Sequence, residues 1–172
     1  MSDTLIKLFS PILEVGGGDV PTFRPNMDIR PLTTVDIVAN LEERFPIKDG
    51  SYGTIYGYYL LEHLSWRSLP LFISECHRVI KPGGSAVFTV PNTLAQCKRV
   101  VNTKVWTSEI SSVLFGGQDY SDNAHKNALS PEYAMRMFKE AGFYDVIIHE
   151  HPVSDTDMII EARKSAAVIR IG

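Results

Sequence analysis

No stretch of this 172-residue chain is long and apolar enough to span a bilayer, which takes about 20 such residues. Its start shows no basic segment followed by an apolar one, so no secretory signal is read there. The two cysteines, Cys76 and Cys97, are too few and too isolated for a disulfide framework, and reduced intracellular thiols are the ordinary reading. No set of His, Cys, Asp and Glu has the spacing of metal ligands along the sequence, so no metal is expected. Positive charge is not in excess. The 17 Lys and Arg against 20 Asp and Glu give a net charge of -3, which argues against a general nucleic-acid binder. Repeats, low-complexity tracts and linkers are also missing. What remains is the expectation of a cytoplasmic protein with one domain over residues 1–172 and enough apolar residues, 44%, for a real core.

What the chain does have is concentrated near its start. Ile12-Leu13-Glu14-Val15 reads as a short strand, followed by Gly16-Gly17-Gly18-Asp19. A second strand near 25–29 carries Asp28. Glycines where a ligand meets backbone, and an acid for ribose hydroxyls, are how a doubly wound α/β domain holds an adenosine-bearing cofactor. A dinucleotide fingerprint sets its acid about twenty residues beyond the glycines. Here the gap is about half that, and Pro21 interrupts any Gly-x-Gly-x-x-Gly, which counts against a dinucleotide reductase.

The short gap has a geometric consequence. A return of about 15 Å to the start of the second strand takes about ten helical residues or about five extended ones. Asp19 to Arg24 suffices only for the extended path, which Pro21 and Pro25 favour. The usual helix after strand one is therefore predicted absent. The sheet face it would cover must be shielded by the N-terminal segment or by a second subunit in a homodimer.

Further along, Leu5, Ile6, Leu8 and Phe9 suit a short amphipathic helix capped by Ser2 or Asp3 and stopped by Pro11. Strands are expected at 35–38 and 54–58, and a helix at 68–80, where Leu69, Phe72, Ile73, Cys76 and Val79 keep helical spacing. Lys81-Pro82-Gly83-Gly84 reads as a stop and turn, and 85–90 as a strand. Helices at 93–102 and 107–114 precede a polar segment, Gly116 to Leu129. Ser130-Pro131 opens a helix that ends at Gly142, and strands at 143–149 and 158–163 close the pattern. Alternating strands and helices imply a mostly parallel sheet. The short link 150–157 implies a C-terminal antiparallel hairpin.

Read together, these segments resemble a class I S-adenosylmethionine-dependent methyltransferase of the small-molecule type. The likeness rests on 12–18 as a first motif, Met27-Asp28-Ile29 as a second, and Ala39-Asn40-Leu41 with Phe45-Pro46 as the stretch beside the adenine. Gly50-Ser51-Tyr52-Gly53-Thr54-Ile55, Leu61-Glu62-His63-Leu64 and the run Arg78-Val79-Ile80-Lys81-Pro82-Gly83-Gly84 continue it in order. The chain departs from the family at Asn40 and Gly53, where Asp is usual. The resemblance implies a Rossmann-like α/β sheet, S-adenosyl-L-methionine as cofactor, and methyl transfer to a small polar acceptor such as the hydroxyl or amine of a sugar or other metabolite. The alternative is an inactive methyltransferase-like binding or regulatory module that acts through a partner subunit, motivated by Asn40, Gly53 and the missing helix.

On this reading Glu14, Gly16, Gly18, Asp28, Asn40, Leu41 and Tyr58 are the cofactor candidates. Gly16 and Gly18 would let the cofactor's amino-acid portion lie against backbone where a Cβ would collide. Of Tyr58 and Tyr59, which alternate faces, one packs in the core and the other lines the cleft. His125, in the polar segment, is a candidate general base with a pKa suited to neutral pH, against the plain alternative of a loop histidine bonding backbone. His63, expected near the transferred methyl, is a second candidate, against a role in bracing the loop. Gln118, Asp119, Tyr120 and Asp122 are candidates for orienting the acceptor, or else turn and capping residues.

Overall fold

The computed structural model describes residues 6–166. Seven strands form one sheet: β1 (Ile12–Val15), β2 (Asn26–Asp28), β3 (Ile37–Val38), β4 (Tyr52–Tyr58), β5 (Ile80–Pro91), β6 (Asp145–Glu150) and β7 (Asp157–Arg163). Their order across the sheet is β3-β2-β1-β4-β5-β7-β6. The first five are parallel, and β7 runs antiparallel between β5 and β6. Among the described residues four α-helices accompany them: α1 (Leu69–Val79), α2 (Thr93–Thr103), α3 (Ser108–Phe115) and α4 (Pro131–Glu140).

Helix α1 forms because Leu69, Phe72, Ile73, Cys76 and Val79 lie on one face, with Pro70 tolerated in the first turn. Helix α4 starts where the Ser130 hydroxyl accepts from the Tyr133 N–H, with Pro131 first in the helix. These two helices touch each other and pack on one sheet face, α1 against β5 and α4 against β6 and β7. Phe72, Phe88 and Phe138 meet there, with ring centroids 5.7 and 5.9 Å apart, beside Leu13, Ile55 and Ile160. Losing one such ring would cost about 3–5 kcal/mol.

As the spacing predicts, no helix joins β1 to β2. Two buried side chains organise the extended crossover instead. The Glu14 carboxylate accepts the Phe23 N–H. Asn26 accepts the Gly17 N–H and donates to the Thr34 carbonyl. Phe23 then lies edge-on against Tyr56 of β4, 5.0 Å between centroids, on the sheet face opposite α1.

Two local expectations are corrected. Residues 6–9 are irregular rather than helical; the rest of that proposed helix, with Ser2 and Asp3, lies outside the described residues. The Phe9 N–H donates to the Thr54 hydroxyl at 2.7 Å, so this segment is used as backbone against β4. The Lys81–Gly84 run does not precede β5 but lies within it. Tyr52 pairs with Ile80 and Thr54 with Ser85, so the run bulges out of the strand.

Candidate active site

The sheet order reverses between β1 and β4, and a cavity opens beside their C-terminal ends, where ligands sit in open α/β sheets. Gly16, Asp28, Asn40, Leu41, His63, Tyr120 and Asp122 all line it, so segments more than 90 residues apart converge. Gly16 turns the chain off β1 at φ +71°, and a Cβ there would come within 2.6 Å of the Leu60 side chain. Asp28 is 5% exposed. Its carboxylate is fixed by the Gly18 N–H at 3.1 Å and the Arg30 N–H at 2.9 Å, with Arg30 Nε at 3.5 Å. The Arg30 guanidinium also lies 5.1 Å from the Tyr120 ring, linking the second strand to the polar segment.

Asn40 faces the cavity from a tight turn. Its Oδ1 accepts the Glu42 N–H and its Nδ2 donates to Glu43. The neighbouring loop is held from behind by Glu75, which accepts the Phe45 N–H, and by Arg78, which donates to the carbonyls of Phe45 and Ile47.

Opposite the glycine turn lies a polar cluster. The rings of His63 and His125 are edge-on, 4.8 Å apart, and Glu62 lies beside them, 3% exposed. Burial pushes the Glu62 carboxyl up to about 8 and pushes both imidazoles down, so neutral imidazole is favoured. The loop that carries His125 is built to reach this point. Gly116 bridges Ala124, and the N–H groups of Lys126 and Asn127 both donate to the Glu62 carbonyl. At φ +82° Gly116 leaves no room for a Cβ, which would stand 2.1 Å from the Asn123 carbonyl oxygen.

Several sequence candidates fall outside the cavity wall. Glu14 faces the crossover, where its carboxylate is consumed by backbone N–H groups. Gly18 acts through its N–H on Asp28. Tyr58 is 48% exposed and the cavity residue is Tyr59, turned inward by a left-handed backbone (φ +48°) that strand alternation cannot reveal. Burial, then its bond to Asp157, raises the Tyr59 phenol. Gln118 bonds the Phe115 carbonyl and Asp119 accepts from Asn123, so both brace the loop. His125 is not on the wall but meets edge-on the ring of His63, which is. Arg30 and Lys126, both on the wall, went unread in the sequence; the placement of Arg30 two residues after Asp28 was the available signal.

A family model described as a methyltransferase domain matches residues 20–88, somewhat under half of the chain. The fold resembles that of an S-adenosylmethionine-dependent methyltransferase from Thermotoga maritima, described as a possible histamine N-methyltransferase. The two are 17% identical with a TM-score of 0.62, over 90% of this chain and 82% of that one. A methyltransferase from Archaeoglobus fulgidus is similar at 16% identity and TM-score 0.63, covering 89% and 85%. One from Mesorhizobium loti follows at 12% and 0.61, covering 89% and 90%. At these identities the likeness is one of fold. No curated protein matches by sequence.

Proposed function

We propose that the chain is a class I S-adenosylmethionine-dependent methyltransferase and that it methylates a small polar acceptor, the hydroxyl or amine of a sugar or other metabolite. The observation that carries this reading is the convergence in one cavity of Gly16 and Asp28 at one end and His63, with His125 against its ring, at the other.

The cofactor-facing residues fit the group. Each Asp28 oxygen accepts one backbone N–H and keeps a lone pair, so a pre-oriented carboxylate is available to two ribose hydroxyls. Gly16 gives the backbone a turn without a Cβ. Ile29, Leu41 and Leu60 supply apolar surface for a flat base, with Asn40 at its edge. When bound, S-adenosylmethionine supplies a methyl group on a positively charged sulfur, a leaving group already activated. The protein's task is then mainly alignment. His63 and His125, kept neutral by burial, offer ring nitrogens that accept a hydrogen bond from an acceptor hydroxyl or amine. Asp122, which interacts with His63, and Tyr120, also on the wall, would orient the acceptor.

A second reading, a non-catalytic methyltransferase-like module, is favoured by one observation: Arg30 already pairs with Asp28 and stacks on Tyr120 across the cavity. Calorimetry separates the two. Binding of S-adenosylmethionine and its demethylated product is expected, weakened at least about tenfold by Asp28→Ala, the loss of one charge-assisted hydrogen bond. No binding of either ligand at millimolar concentration overturns the enzyme reading. Unchanged binding by Asp28→Ala overturns the ribose placement. Incubation of the protein and labelled methyl donor with a metabolite extract then identifies the acceptor.

A further inference from the structure

We propose that Glu62, His63 and His125 form a binding site for a divalent transition-metal ion, bordering the end of the cavity where the acceptor is placed. One ligand atom from each side chain lies within 4.8 Å of those from the other two. Bonds of about 2.0 Å in a tetrahedral site set ligand atoms about 3.3 Å apart, so modest rotamer changes close the set. A second observation is independent of this clustering. Glu62 is 3% exposed and its Oε2 has no hydrogen-bond partner. A carboxylate oxygen buried this way without a partner is costly, and an ion among the imidazoles would satisfy it.

The surroundings orient the rings as ligands need. The Nδ1 of His63 faces the Ala124 carbonyl at 3.4 Å, and the ring also meets the Asp122 backbone. The His125 ring meets the carbonyls of Val113 and Leu114 at the end of α3. Carbonyls that take one ring N–H fix the tautomer and present the other nitrogen, the usual support of a metal-bound histidine. The charge balance is also suitable. Once its proton is displaced by the ion, Glu62 joins Asp157 near it and Asp122 on the cavity wall, three carboxylates against Lys126 and Arg30.

Two nitrogens and one carboxylate oxygen select zinc, manganese, iron(II), cobalt or nickel over magnesium and calcium, which prefer all-oxygen sets. Three protein ligands leave at least one position open. His63 belongs to the cavity wall, so that position is within reach of a ligand there. With an ion bound, the imidazole lone pairs are taken, and an acceptor oxygen or nitrogen becomes a ligand itself. That last consequence rests on the methyl-transfer reading; metal binding does not.

The test uses tag-free full chain, stripped with a chelator and titrated calorimetrically with Zn²⁺ and Mn²⁺, and with Co²⁺ followed by visible absorption. One ion per chain is expected, with cobalt showing d–d bands. Glu62→Gln and His125→Phe should each weaken binding about 100-fold, while His151→Ala leaves it unchanged. Circular dichroism confirms folding, and Glu62→Gln, nearly isosteric, serves if the ring replacement unfolds. No binding at millimolar ion, or wild-type affinity in both folded variants, overturns the site. Neither result depends on S-adenosylmethionine, whose failure to bind would overturn the enzyme reading alone.

Discussion

Replacing Arg78 by Met tests how the wall behind the cofactor candidates is held. The guanidinium bonds Glu75, the Ile47 carbonyl at 2.7 Å, the Phe45 carbonyl at 3.2 Å and the exposed Asp49. Met keeps the apolar stem and removes every donor. The Asp49 contact is solvated and adds little. The two carbonyls lose a bond each, about 1 kcal/mol apiece at most. The Glu75 side chain is 8% exposed and keeps only the Phe45 N–H, so an uncompensated carboxylate adds about 2 kcal/mol after discount for partial solvation. The sum is about 3 kcal/mol at pH 7, or about 6–12 °C in Tm for a chain this size.

The pH dependence has a definite sign. Arg78 holds the Glu75 carboxyl below its ordinary 4.5. A lowered pKa gives stability that is present above 4.5 and lost as pH falls through the folded-state value. The gap between wild type and Arg78→Met should therefore be full at pH 7 and shrink below pH 4.5. Urea unfolding at both pH values, in a double-mutant cycle with Glu75→Gln, measures it. A cost under about 1 kcal/mol, or additivity of the two substitutions, refutes the argument.

Three further outcomes follow from local geometry. Gly53→Asp, the residue usual in the family that the sequence resembles, should destabilise by about 3 kcal/mol or more, because a Cβ would stand 2.4 Å from the Phe9 carbonyl oxygen; a Tm equal to wild type in a thermal melt counts against this. Gly116→Ala should cost about 1–3 kcal/mol in chemical unfolding through strain at φ +82°, and should lower turnover while cofactor affinity is kept, since Gly116 positions His125 and not Asp28; loss of cofactor binding would contradict that division. In thiol titration, exposed Cys97 should react in the folded protein and Cys76 only on unfolding, since Cys76 is fully buried and burial raises its pKa; two fast thiols would contradict the packing of α1.

Much of the fold was written in local chemistry. The strand-glycine-acid run, the Ser-Pro start of α4 and the short link between β6 and β7 each specify their structures through steric and capping rules that act over a few residues. Even the missing crossover helix was legible, because chain length and proline geometry leave one path. Other features were not local. Glu14 occupies the position of a motif acid, yet the extended crossover that its own neighbours dictate brings backbone N–H groups to its carboxylate. Tyr59 replaces Tyr58 at the cavity through one left-handed residue, which alternation cannot foresee. Gly53 is glycine because the N-terminal segment passes within contact of β4, a meeting of residues 44 positions apart.

The sequence by itself therefore determined the class of domain, its parallel order, the terminal hairpin and the Gly16 to Asp28 end of the cavity, all consequences of short-range pattern. Only the tertiary structure decided the other end. Glu62-His63 and His125 are separated by some 60 residues and show no ligand spacing. They meet because Gly116 closes the loop and the Glu62 carbonyl accepts two of its N–H groups. Spacing along a chain encodes contacts only within one turn, strand pair or loop, whereas this cluster is assembled by loop closure across the top of the sheet.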